Sequence, residues 1–548
     1  MRIALGQFNA VVGDLAGNAG RMRQMYARAV KADVDLLAFP ELAICGYPPE
    51  DLLYKQHFLK DCKHTLEKLA GDCTDTTMIV GFAEGKRTES YNSAAVLQGG
   101  KVRKVYRKGM LPNYGVFDER RYFQQGAEPL VIEIDGLNIA ITICFDIWNI
   151  KWLRNFLADT NRIQVILNIS ASPYHTGKIQ AREKVINACA KELNCAVAYC
   201  NLIGGQDELI FDGRSMFVDS AGKLQAKAKA FDEDLIIADV LQQADGTVKV
   251  EPVQPSAEQP SDSVDEIYQA LVLGTKDYTL KNGFKKVLLG LSGGIDSSVT
   301  AAIAVEALGS ENVIGISMPS EFNSPETISD AERLAGNLGI EFHTIPIGPI
   351  LDKFHHSLQT VEGWNDEGIA YENLQARIRG CILMSISNRF GSLVLTTGNK
   401  SETAVGYSTL YGDTAGGFGV IKDVPKTTVY KLAEHINRIS GRQIIPEDVI
   451  TRPPSAELRP DQKDSDSLPD YDLLDKILKG YVEQDKSGRE LVVQGLPEDV
   501  VYKVIRLVDR NEYKRRLSPP GIKITPKAFG KDRRLPITNR YSHSPDTA

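Results

Sequence analysis

KVLLGLSGGIDS, residues 286–297, decides how the second half of this chain folds. Val287, Leu288 and Leu289 form a short apolar run that feeds a turn holding Gly290, Gly293 and Gly294. SVTAAIAVEAL, a stretch of helical composition, follows at once. The pattern predicts a strand, a glycine-rich loop and a helix. Glycines let backbone approach a phosphate closely, and a helix N-terminus adds unpaired N–H groups and the positive end of its dipole. No Gly-Lys-Ser/Thr occurs, so this is not a Walker A loop, and the loop lacks the GxGxxG fingerprint.

Outward from this loop, KKVLLG, NVIGISMP, EFHTIPI and SLVLTT read as strands. Helices are expected at about 264–282, 297–308, 324–337, 350–358 and 369–391. Such alternation predicts a parallel sheet covered on both faces. Residues 408–424 and 453–468 read as polar, Gly/Pro-rich loops suited to closing over a site. The first half also alternates. Its strands are RIALGQF, LLAFP, TMIVGFAE, NSAAVLQ, LNIAITICFD, QVILNIS and CAVAYCN, closed by MFVDSAGKLQAKAKA and DLIIADV. Its helices are expected at 18–31, 50–70, 148–158 and 177–193. A Pro-, Gln- and Ser-rich stretch divides the halves, which predicts domains at 1–245 and 265–548 with a linker at 246–264.

At 548 residues the chain exceeds one core. A net charge of −7 gives no electrostatic footprint for nucleic acid. No apolar run nears the roughly 20 residues of a membrane helix, and MRIALGQFNA reads as a strand, not a signal peptide. The eight cysteines are scattered without a CxxC pair, which fits buried thiols in a reducing cytoplasm.

Three segments of the first half carry reactive side chains where strands end. Glu41 ends LLAFPEL, Lys108 follows the strand before VYRKGMLPNYGVFDERRYF, and Cys144 ends IAITIC. Taken singly, these read as a strand-end carboxylate, a surface cation and a buried thiol. A carboxylate among apolar residues can act as a general base, and a thiol needs a base or a cation to become nucleophilic.

Together FPEL, YRK and ITIC resemble the Glu-Lys-Cys set of the nitrilase superfamily over roughly residues 1–240. The resemblance implies an αββα sandwich. It also implies Glu41 as base, Cys144 as nucleophile, Lys108 as oxyanion stabiliser and Glu119 as the superfamily's second glutamate. In glutamine-using members the matching pocket residues are Tyr114, Ser172 and Lys178. Many members carry an acid directly after the cysteine; this chain has Phe145, then Asp146. Asp146, Glu183 or a backbone carbonyl is left to receive the glutamine α-amino group.

The loop Ser292–Ser297 resembles the SGGxDS loop of the ATP pyrophosphatases. ENLQARIRG, TTGNKSE, YGDTAGGF, KDVPKT, RPPSAELRPDQKD and EYKRRLSPPGIKITPKAFG narrow this to the NAD synthetases, over about 265–540. That implies a Rossmann-like adenine nucleotide hydrolase domain. By resemblance Gly290, Leu291, Ser292, Gly293, Gly294, Ile295, Asp296, Ser297 and Thr397 bind ATP. Asn373, Glu402 and Lys527 contact deamido-NAD⁺, and Asp296 and Glu402 hold Mg²⁺. Ser455 falls in the loop near the phosphates, and Lys426 and Asp413 are further candidates. The fusion implies an amidotransferase that forms NAD⁺ from deamido-NAD⁺, ATP and ammonia released from glutamine, working as a homo-oligomer. GMP synthesis, tRNA thiolation, a lone amidase and a non-catalytic scaffold are the alternatives. Zinc cysteines, a basic surface or a broken motif would favour one of them; the sequence supports neither of the first two, and the motifs are intact.

Overall fold

The computed structural model describes residues 1–86, 89–364 and 368–541. The chain divides into two compact units, Met1–Ser261 and Asp262–Ala548.

The first unit stacks two sheets between helices. One sheet has seven strands, in the order Val248–Pro252, Asp234–Gln242, Arg2–Gln7, Leu36–Ala38, Thr77–Lys86, Glu89–Gln98 and Lys101–Arg107. The other has six: Leu224–Lys227, Met216–Val218, Ala196–Asn201, Val165–Ser170, Leu137–Ile143 and Leu130–Ile134. Alternation assigns their faces. Ile3 and Leu5 meet Ile141, Ile143 and Leu167 in the core between the sheets. Ala4 points the other way, toward Met22 and Met25 of the helix Leu15–Lys31. On the far side Ile186 and Cys189 of the helix Lys178–Leu193 cover the six-stranded sheet. Strands buried on both faces read as continuous apolar runs, which is why most were visible in the sequence. The result is an αββα sandwich.

The second unit is built on a five-stranded parallel sheet: Glu341–Thr344, Val313–Ser317, Val287–Gly290, Leu393–Thr396 and Phe418–Gly419. Strand order reverses at Val287–Gly290, and the crevice beyond that strand is the usual ligand position of such sheets. The helix Ile295–Leu308 packs against the helices Ser263–Lys281 and Lys426–Ser440 and the sheet. This buries ten of its 14 residues. Leu374, Ile378 and Leu383 of the helix Gly368–Phe390 cover the opposite face.

Four local differences from the sequence reading have physical causes. The expected linker carries the strand Val248–Pro252, with Val248 and Val250 buried and Lys249 and Glu251 outward. That alternation is too short to stand out from its polar surroundings. The expected polar loop 408–424 contributes core: Val420, Ile421 and Val424 are fully buried, and the Phe418 ring stacks on Tyr278 at 3.9 Å. The expected helix 50–70 breaks at the extended Lys55 into the turn Glu50–Tyr54 and the helix Gln56–Gly71. The expected helix 148–158 is shorter, Ile150–Phe156, because the Asn149 side chain caps it at the Trp152 N–H.

All eight cysteines are free, and seven are buried. Among the described residues no helix is long and apolar enough to cross a membrane.

Candidate functional site

In the first unit, three strand ends deliver Glu41, Lys108 and Cys144 to one place. Lys108 follows the strand Lys101–Arg107, and its backbone N–H donates to the Asn92 carbonyl at 2.9 Å, which locks it to the neighbouring strand. Its side chain is fully buried. The ammonium donates to Glu41 Oε1 at 2.6 Å and to both Glu119 oxygens at 2.8 Å. Asn92 Nδ2 donates to Glu41 Oε1 at 2.7 Å, the Ala171 N–H to Glu41 Oε2 at 2.9 Å, and the Tyr47 hydroxyl to Glu119 Oε1 at 3.0 Å. Burial draws the Lys108 ammonium down, but Glu119 and Glu41 outweigh it and leave it raised, so it stays charged. Burial pushes the Glu119 carboxyl up to about 7, with Lys108 opposing.

Cys144 is buried and sits at φ +43°, a left-handed conformation that costs a non-glycine residue energy and turns its side chain out of the strand line. Burial and Glu41 push its thiol up, while Lys108 pulls it down. Asp146 holds this bend. It accepts from the Ile143 N–H, the Met110 N–H and the Tyr106 hydroxyl, each at 2.8 Å. One carboxylate therefore ties the residue before Cys144 to the loop just past Lys108. Fully buried and engaged on both oxygens, Asp146 is not free to receive a substrate amino group.

Tyr114 stands at the rim, 54% exposed, its ring 5.7 Å from that of Phe145. Ser172 is buried, and its hydroxyl and carbonyl oxygens both accept from Arg182. Asp212 clamps that guanidinium at 2.9 and 3.1 Å. Lys178 opens the helix Lys178–Leu193, with Nζ 4.0 Å from the centre of the Trp148 ring.

In the second unit a cavity of about 670 Å³ opens at the reversal of strand order. Gly290, Leu291, Ser292, Gly293, Gly294, Ile295, Asp296 and Ser297 line it along with Thr397, Asn373 and Glu402. Lys426, Asp413 and Ser455 reach it too. Gly293 must be glycine: its φ is +81°, and a Cβ there would lie 2.0 Å from the Thr327 carbonyl oxygen. Gly294, at the N-cap of the helix Ile295–Leu308, brings no side chain to cover the helix end. Asp296 Oδ1 accepts from Asn399 Nδ2 at 2.9 Å, and Oδ2 from Lys426 Nζ. The same ammonium lies 3.5 Å from Glu402 Oε1. Burial and Asp296 push the Glu402 carboxyl up to about 8, against the pull of Lys426. Lys527 is not among the lining residues; its ammonium pairs with Asp485 at 2.5 Å.

Asn92, Tyr47, Arg182, Asp212 and Asn399 escaped the sequence reading. Asn92 left one signal, a polar residue inside an apolar strand.

Residues 2–248 match the carbon-nitrogen hydrolase family and residues 267–518 the NAD synthase family. The chain is 45% identical over 575 residues to the glutamine-dependent NAD(+) synthetase of Thermotoga maritima, covering 99% of each chain. It is 46% identical over 569 residues to that of Aquifex aeolicus, covering 99% of this chain and all of the other. Among solved structures, the glutamine-dependent NAD⁺ synthetase from Acinetobacter baumannii in complex with ADP is 43% identical, with a TM-score of 0.77 and 98% of each chain covered. A glutamine-dependent NAD(+) synthetase from Cytophaga hutchinsonii, 22% identical, shares the fold at a TM-score of 0.83 over 98% of each chain. With nitrilase-like and NAD synthetase units in one polypeptide and full-length identity of this order, the chain belongs to the glutamine-dependent NAD⁺ synthetases.

Proposed function

We propose that this chain converts deamido-NAD⁺ to NAD⁺, cleaving ATP to AMP and pyrophosphate and taking the amide nitrogen from glutamine. One observation carries the reading. A buried carboxylate–lysine–carboxylate cluster beside a strained cysteine shares its chain with a phosphate-type loop at a sheet's switch point.

In the first unit Glu41 takes the Cys144 proton as the sulfur attacks the glutamine carboxamide. Glu41 passes that proton to the departing nitrogen, ammonia leaves, and water, losing its proton through Glu41 to the sulfur, cleaves the resulting thioester to release glutamate and the free thiol. A thiol raised by burial needs a base at the moment of attack, and Glu41 is already fixed by Asn92 and the Ala171 N–H. Lys108 meets the charge that develops on the carbonyl oxygen, and Glu119 holds it in place. Tyr114, Ser172 and Lys178 form the glutamine pocket.

In the second unit the nicotinate carboxylate of deamido-NAD⁺ attacks the α-phosphorus of ATP and pyrophosphate leaves. Ammonia then displaces AMP from the acyl adenylate. Gly290–Ser297 and Thr397 hold ATP, and Asn373 and Glu402 the dinucleotide. Lys527 would have to leave Asp485 to join them. The donor set fits Mg²⁺: two hard carboxylates, Asp296 and Glu402, converge on the cavity from either side of Lys426. Asp296 and Glu402 would hold the ion, which when bound neutralises phosphate charge. Lys426 shares that task toward the departing pyrophosphate. The working form is a homo-oligomer, which light scattering checks.

The test supplies deamido-NAD⁺, ATP and Mg²⁺ with either glutamine or ammonium. NAD⁺ and AMP should form with both nitrogen sources, and absence of NAD⁺ with either would overturn the reading.

A further inference from the structure

Glutamine carries an α-ammonium, and the carboxylates described around Cys144 are each already engaged. Glu41 and Glu119 are bound by Lys108, and Asn92, the Ala171 N–H and Tyr47 also donate to them. Asp146 faces inward onto two backbone N–H groups and Tyr106. Asp212 is clamped by Arg182 and Arg214, and Glu183 is paired with Lys227. What the rim offers instead is aromatic. Phe145 follows the nucleophile in the tight turn Cys144–Trp148 and is half-buried. Its ring centroid lies 5.7 Å from that of Tyr114, the planes tilted by 53°, and Tyr114 lies 5.4 Å from Phe117. The Tyr114 hydroxyl lies within electrostatic reach of Cys144, Lys108 and Glu119, so these rings flank the reacting centre.

Resting on the glutaminase reading above, we infer that Phe145 and Tyr114 read the α-ammonium of the amide donor through their ring faces. A cation held over an aromatic face is attracted by the negative face of the ring, more strongly as water is excluded. The pocket then discriminates by attraction to a ring where a carboxylate would form an ion pair. It also leaves Asp146 to its task of fixing the bend at Cys144.

The test compares L-glutamine with glutaramate, which keeps the carboxamide and carboxylate but lacks the α-amino group. The full-length chain is assayed for ammonia release from each. Wild type should prefer glutamine in kcat/KM. Phe145→Leu should lower the glutamine-to-glutaramate ratio about tenfold, and Phe145→Tyr should retain it. Equal loss on both substrates, an unmoved ratio, or a wild type without preference would overturn the inference and leave the glutaminase reading standing. Release from neither substrate by wild type would overturn both.

Discussion

The two sites handle buried charge in opposite ways. Around Lys108 every partner is in place: the side-chain exposures of Lys108, Glu41 and Glu119 are 0, 0 and 5%, and every oxygen of the two carboxylates accepts at least one hydrogen bond. Around Lys426 the charges are close but loosely met. Asp296 and Glu402 keep side-chain exposures of 19 and 17% and face a cavity of about 670 Å³. The contrast fits what the proposed reactions would bring to each site. A small carboxamide attacked by a fixed sulfur profits from groups already aligned, since no reorganisation is then needed at the moment of reaction. A triphosphate and a dinucleotide would bring large negative charges of their own, and the cavity proposed for them stays open with Arg379, Lys426, Arg452, Arg459 and Lys514 on its walls.

The sharpest way to break this comparison is to remove one centre and watch the other. Cys144→Ala should cut glutamine-driven NAD⁺ formation by roughly 10⁴-fold or more while ammonium-driven synthesis continues. Equal loss of both activities would show that the units are not separable. Asp296→Ala should lower ATP-to-AMP turnover by about 10²–10³-fold, yet glutamine should still be hydrolysed. Continued AMP formation would remove Asp296 from the ATP site.

Stability offers a finer comparison. Lys108→Met leaves two fully buried carboxylates without their cation and should cost about 3–5 kcal/mol. Lys426→Met removes an equally buried lysine but leaves carboxylates that water can reach, and should cost less, about 1–3 kcal/mol. Urea unfolding of both variants decides it, and equal losses would erase the distinction.

A last comparison concerns pH. Glu402 rises from its ordinary 4.5 to about 8, so between those values the folded chain holds a proton that the unfolded chain has lost. Stability therefore falls as pH rises through that window and levels off above it. Glu402→Gln removes this contribution, so the melting temperature of the variant should gain on wild type from pH 5 to pH 8. A constant gap in a thermal shift series would contradict the assigned direction.

Much of this was legible in local sequence because the decisive residues sit at strand ends. Glu41, Cys144 and the loop after Leu289 each follow an apolar run that marks its own terminus. The supporting residues were not legible. Asn92 lies 51 residues from the carboxylate it holds, and Tyr47 lies 72 from Glu119. No short-range pattern records such pairings. Asp146 was visible, but only as a carboxylate available to a ligand; the three donors it accepts belong to Tyr106, Met110 and Ile143, set by how two strands meet. The buried half of 408–424 was hidden differently. Its glycines dominate the composition, while Phe418, Val420, Ile421 and Val424 follow neither a strand nor a helix period for long enough to register.

An ammonium has three protons, and those of Lys108 point to three acceptors at 2.6, 2.8 and 2.8 Å. The hub is saturated. A fourth oxygen arriving there can enter only by substitution, with one of the existing carboxylate contacts let go as the new one forms. Under the proposed reaction each turnover at this centre would be a partner exchange at constant coordination, and the doubly held Glu119 is the partner that can yield one contact and keep the other.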